Sequence, residues 1–404
     1  MTVTATQEIV ERHPAQVRRE DPERELWEPE VEAEDTDAEN GEPYDPSKIR
    51  IQRETPTVDL LMKRIQHGEL ILTPSFQRRP DLWTEKVQSR LIESVLMRIP
   101  LPAFYFDATD PGRWLVVDGL QRLTAMARFL LSAETLKQLG MKRQLKLREL
   151  EFLRELDGSL FERLPRRHQR TIEEAQLTAF VIGEGTPPEV KFKIFKRVNT
   201  GGLPLTSQEI RHALNQGPAT KLLRSLGESE EFRRATANGV TGKRMANEEF
   251  VLRFLAFVND PPEKYLKEDF DYFLNEAMGK INGMTAERHQ DLERRFKRAM
   301  RAAERIFGAF AFRKQYAMDA GRMPINKALF ETWSFNLNLC SDDELETLIR
   351  HRIDLQRRFV DLCNVDTFNK SISLGTGAVS KIKERFTGVH RIIQDTIGSV
   401  ARVA

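Results

Sequence analysis

Within residues 113–130, RWLVVDGLQRLTAMARFL, the spacing of apolar positions changes in mid-segment. Trp114 to Val117 form a short apolar run closed by a turn pair, which predicts a buried strand. Beyond Gly119 the apolar residues recur at Leu120, Leu123, Met126, Ala127 and Leu130, the spacing of one helix face. Asp118-Gly119 therefore falls on a strand-to-helix turn, with Gln121 and Arg122 in the first helical turn. A cation there meets the positive end of the helix dipole, which calls for an anion near both.

The same spacing rules organise the rest of the chain. From about 55 to 215, short strand-like pieces alternate with helices. TVDLLMKRIQHGE predicts an amphipathic helix ended by Gly68, and LIL at 70–72 a strand. Residues 84–98 predict a helix with Thr84 as N-cap and Val87, Leu91, Val95 and Leu96 as its apolar positions. PAFYFDA and WLVVDG predict strands joined by a Pro-Gly turn at 111–112, and 176–185 another strand. From about 216 the pattern is helical, with long runs at 284–312 and 341–363, and no repeat of fixed period is present.

Composition adds a division at the N-terminal end. Residues 1–47 hold 15 Asp and Glu against four Arg, a balance of −11; the chain's net +2 leaves +13 on the remainder. So acidic and Pro-rich a segment cannot form a core and reads as a disordered tail. The expected organisation is a tail over 1–47, an α+β domain over 48–216 and a mainly α-helical domain over 217–404. The basic body suits a polyanionic partner, and the tail is expected to compete with nucleic acid for it. No apolar run approaches the ~20 residues of a membrane span. The first 16 residues lack the basic-then-apolar layout of a secretory signal, and Cys340 and Cys363 are the only cysteines. Both features predict a cytoplasmic protein without a membrane partner.

Three segments concentrate candidate chemistry. TPSFQRRPDLW (73–83), an extended or turn segment fixed by Pro74 and Pro80, presents Phe76, Gln77, Arg78 and Arg79, side chains able to stack on bases or make paired contacts to them; alternatively Phe76 and Trp83 pack under the loop and the arginines are solvated. At the turn already described, Asp118 is either the helix N-cap or a group working on an anion held by Gln121 and Arg122. KFKIFKRVNTGGLPLTSQEIRHAL (191–214) runs a basic helix into Asn199-Thr200-Gly201-Gly202, then into a helix capped by Thr206 or Ser207, with Glu209 at capping-box spacing from Thr206. Its loop is a second place for an anion, or a plain connector.

In this order and spacing, the blocks resemble the N-terminal domain of GmrSD-type restriction endonucleases, within the broader ParB/sulfiredoxin-like superfamily. Phe76, Gln77 and Arg78 match the family's FQR segment, and Leu91, Ile92, Glu93, Ser94, Pro100 and Pro102 its helix–strand junction. Asp118, Gly119, Gln121 and Arg122 match an Asp-Gly-Gln-Gln-Arg loop, and Asn199, Gly201, Glu209 and Arg211 the last block. The resemblance implies a ParB-like α+β domain with a small mixed sheet. It also implies a nucleotide-binding, DNA-recognising component of a bacterial restriction or anti-phage system. Asp118, Gln121 and Arg122 would then be catalytic in nucleoside triphosphate hydrolysis with Mg2+. Gly119, Gln121, Arg122, Asn199 and Gly201 would hold the nucleotide, and Phe76, Gln77, Arg78 and Arg79 would read DNA, including modified DNA. A nuclease or other defence partner and a homodimer are further partners consistent with that role.

Leu120 departs from the family at the first glutamine of the loop, and His212 at a position where asparagine is common. No paired His/Asn pattern follows residue 216, and no Asp/Glu-Lys spacing marks a second kind of nuclease centre. Two alternatives stay open: an NTP-dependent nuclease or nickase with an unrecognised metal centre, and a non-catalytic clamp switched by nucleotide. Near the C-terminus, Lys381, Lys383 and Arg385 read as the cations of a solvated helix.

Overall fold

Period-two alternation builds the sheet. It sends Phe104 and Phe106 of one strand into one core and turns Tyr105 towards another. The computed structural model describes residues 31–32, 50–72, 83–110, 112–198 and 205–401. Strands β1 (Ile51–Glu54), β2 (Leu70–Ile71), β3 (Phe104–Asp110), β4 (Arg113–Asp118) and β5 (Ala179–Gly183) form one mixed sheet in the order β1-β5-β3-β4-β2. β3 and β4 are an antiparallel hairpin with Tyr105 opposite Asp118, β5 runs parallel to β3, and β2 runs parallel to β4.

Helices cover both faces. On the first lie α1 (Val58–Gln66), α2 (Glu85–Leu96), α3 (Leu120–Leu130), α4 (Ala133–Gln138) and α5 (Arg166–Glu173), packed on Phe104, Phe106, Val116, Ala179 and Val181. On the second, α6 (Pro188–Val198) and α7 (Ser207–Leu214) enclose a smaller core of Val117, Ile182, Phe192, Phe195 and Ile210. The caps read from the sequence are present: Thr84 Oγ1 accepts from Val87 N at 3.4 Å, and Thr206 and Glu209 close a capping box. Among the described residues, β1 is the strand that apolar spacing does not reveal. It is an edge strand whose first three residues are exposed, so burial imposes no alternation on it.

The remainder is helical: α8 (Pro218–Gly227), α9 (Glu230–Ala235), α10 (Ala246–Asn259), α11 (Phe270–Asn282), α12 (Ala286–Phe307), α13 (Lys327–Leu339), α14 (Asp342–Arg350), α15 (Arg352–Cys363), α16 (Asp366–Ser373) and α17 (Val379–Ala401). Its core is aromatic, with Phe330 edge-on to Phe250 at 4.9 Å between centroids and Phe232 beside both. The chain is thus α+β, with a small mixed sheet near its N-terminal end and a helical C-terminal part. No described helix is long and apolar enough to cross a membrane.

Three expectations change. The run 341–363 is two helices, α14 and α15, broken at His351. Arg385 is not a surface cation: it is fully buried, bonded to the Glu331 carboxylate and to Thr376 O at 2.7 Å. Val31 and Glu32, within the segment read as a disordered tail, are placed on the helical part, Glu32 N donating to Ile325 O at 2.8 Å. The rest of residues 1–47 lies outside the described residues.

Candidate functional site

At the end of β4 the chain turns into α3 through Gly119, in the left-handed region at φ +101°. Glycine is required there twice over. A side chain is strained at that φ, and a Cβ would stand 2.3 Å from Phe104 Cδ1. Gly119 occupies the N-cap position of α3 without a side-chain hydrogen bond to the first turn. Asp118 is therefore not the cap.

Asp118 instead faces Arg122, one helical turn on, with Oδ2 accepting from Arg122 Nη2 at 2.8 Å. The same guanidinium donates to Ala103 O at 3.1 Å and to Pro102 O, and lies 4.3 Å over the Phe104 ring. Arg122 thus ties the entry of β3 to the exit of β4, with Gly119 and Phe104 pressed between. Burial pushes the Asp118 carboxyl above the ordinary carboxylate range, against the opposing effects of Arg122 and the Gly119 N–H. Burial also lowers the Arg122 guanidinium from its usual value, with Asp118 pulling the other way. The cation at the helix start has its counter-anion inside the fold, and the pair leaves the α3 N-terminus with little net charge besides its dipole.

Gln121 is half-buried in the first turn of α3. Leu120 points into the core at 6% exposure, so this departure from the family places an apolar side chain where it packs. Its backbone N–H still belongs to the first turn. Asn199 and Gly201 lie outside the described residues, as do Phe76, Gln77, Arg78 and Arg79. The elements flanking the Asn-Thr-Gly loop, α6 and α7, pack on Val117, immediately before Asp118.

Other motif residues fix the fold. Glu93 accepts from the backbone N–H groups of Glu151, Phe152 and Leu153 at 3.0, 2.7 and 2.8 Å. Burial pushes its carboxyl up, but those donors and Arg90 outweigh this and hold it below the usual range. Arg128, buried, donates to Gln88 Oε1 at 2.6 Å, to Arg143 O at 3.1 Å and to Glu85 Oε1 at 3.2 Å. The last block meets the helical part: Arg211 reaches Asp271 at 2.8 Å, His212 Nδ1 lies 3.0 Å from Glu248, and Glu209 accepts from Arg244 at 3.1 Å. Lys193 and Asp269 are 3.1 Å apart. The basic character of 191–214 is thus answered by acids of α10 and α11 and the turn before α11. These partners are far away in sequence or are backbone groups, and no local pattern announces them.

Residues 58–215 match the family model described as GmrSD restriction endonuclease, N-terminal domain. The resemblance read from the sequence holds over that stretch. No curated protein matches the chain, and no solved structure does.

Proposed function

We propose that residues 58–215 bind a nucleoside triphosphate and recognise DNA as part of a restriction-type defence protein. The observation that carries the nucleotide site is the α3 N-terminus. It starts at a left-handed glycine without a side-chain cap, inside a domain that matches this family. Helix N-termini present backbone N–H groups and positive dipole to phosphate oxygens. A bare carboxylate beside that position would repel phosphate, but Asp118 is paired with Arg122 at 2.8 Å. In this reading Gly119 admits the phosphate, and Leu120 and Gln121 offer their backbone N–H groups. Arg122 is a positioning residue that acts through Asp118 and the carbonyls of Pro102 and Ala103, just before β3. Asp118 would either meet the Mg2+ that accompanies the nucleotide or orient an attacking water and take its proton, as the bond between the β- and γ-phosphates breaks and the diphosphate departs. Asn199 and Gly201, between α6 and α7 in the sequence, would contact the same nucleotide. Phe76, Gln77, Arg78 and Arg79, between β2 and α2, would contact DNA, because Arg offers two parallel donors and Gln a donor beside an acceptor, the patterns that base edges present in complement.

A second reading is favoured by the inward direction of the Arg122 bonds: the Asp118–Arg122 pair is a strut that shapes the turn and binds nothing. Hydrogen exchange separates the two. With saturating nucleoside triphosphate and Mg2+, the amides of residues 119–123 are expected to slow at least tenfold. Unchanged exchange at these amides in the presence of all four nucleotides leaves only the strut.

A further inference from the structure

A polar cluster at the start of α13 plays no part in the site described above. Ile325 pairs in antiparallel fashion with Arg313 and in parallel fashion with Val31, so a short extended piece of the N-terminal segment is added as a third strand-like residue. Val31 packs against the helical core, and Glu32 N donates to Ile325 O at 2.8 Å. The Glu32 carboxylate is held at both oxygens: Oε1 accepts from Lys314 Nζ at 2.6 Å and Oε2 from Asn326 Nδ2 at 2.9 Å.

Both donors also have partners other than Glu32. Asn326 is the N-cap of α13, its Oδ1 accepting from Leu329 N at 2.8 Å, while Nδ2 also donates to Ile372 O at 2.7 Å. The amide is therefore oriented with its donor side towards the incoming group, which selects an acceptor. Lys314 is 6% exposed, with Nζ also donating to Ser373 Oγ at 2.8 Å. A buried ammonium needs an anionic partner, since an isolated buried charge is strongly unfavourable.

We propose that Lys314, Asn326 and the Ile325 backbone form a docking socket for an extended apolar–glutamate dipeptide. In this chain Val31 and Glu32 occupy it. The apolar residue seats on the helical core, the backbone adds to Ile325, and the carboxylate neutralises Lys314. Through this socket the acidic N-terminal segment is anchored to the helical part of its own chain.

The test uses the full chain, wild type and Glu32→Gln, titrated against a fluorescent peptide of residues 26–37 and read by polarisation. The wild-type socket is filled, so the peptide is expected to bind the Glu32→Gln chain at least tenfold more tightly. The same peptide carrying Gln at position 32 is expected to bind that chain at least tenfold more weakly. Equal affinity for the two chains, no binding to either, or indifference to the peptide's own glutamate overturns the proposal. Hydrogen exchange on the unaltered chain gives an independent reading: the Glu32 amide is expected to be protected at least a hundredfold. Exchange there at the rate of an unstructured peptide overturns the proposal whether or not the variant folds.

Discussion

Gly119→Ala is expected to destabilise the sheet domain by about 2–5 kcal/mol, as roughly 1–2 from the left-handed backbone and 1–3 from overpacking. The clash falls on Phe104, which cannot withdraw freely. One face of its ring carries the Arg122 guanidinium, and the ring belongs to the core on the α3 side of the sheet. The added methyl therefore acts on the whole assembly of β3, β4 and α3. Urea denaturation, followed by a probe within residues 50–215, measures the loss. A change below 1 kcal/mol would mean that the turn does not hold its glycine against Phe104.

Glu331→Leu is expected to cost about 3–5 kcal/mol in the helical part, because it removes a carboxylate shared by two buried cations and leaves Arg385 without an anionic partner. Glu331 is fully buried on α13 and lies 3.2 Å from Arg253 Nη1 of α10, with Arg385 of α17 bonded to its other oxygen. Arg253 retains Glu249, 2.9 Å away, but Arg385 is left with carbonyl acceptors such as Thr376 O and Ser371 O. Adding Arg385→Met should recover most of the loss, since removing both charges leaves no unpaired ion. Stability curves for the single and double variants decide this. A single variant within 1 kcal/mol of wild type, or a double variant weaker than the single, would contradict it.

Much of the architecture was legible because burial dictates spacing. The β3–β4 hairpin, the switch into α3 and the caps at Thr84 and Thr206 follow from short apolar runs, helical spacing and side chains that accept first-turn N–H groups. β1 escaped because its side chains are mostly exposed, and the break at His351 because no Pro or Gly marks it. At the site, the sequence located the turn and its glycine correctly. The orientation of Arg122 was not legible, because its acceptors include the carbonyls of Pro102 and Ala103, twenty and nineteen residues away. A backbone carbonyl is the same in every residue, so only the tertiary fold reveals it as a partner. The locks of Glu209, Arg211 and His212 were hidden for a related reason: their partners lie in the helical part, 35 to 60 residues on.

The proposed function places nucleotide phosphate at the β4–α3 turn, in a shape maintained by Arg122. Calorimetric titration of each nucleoside triphosphate, with Mg2+, into the wild-type chain and into Arg122→Ala tests it most directly. Circular dichroism verifies that the variant remains folded. The wild-type chain is expected to bind at least one nucleotide and the variant to bind it tenfold or more weakly, a difference of about 1.4 kcal/mol. Equal dissociation constants in two folded proteins, or no binding by the wild-type chain, would contradict it.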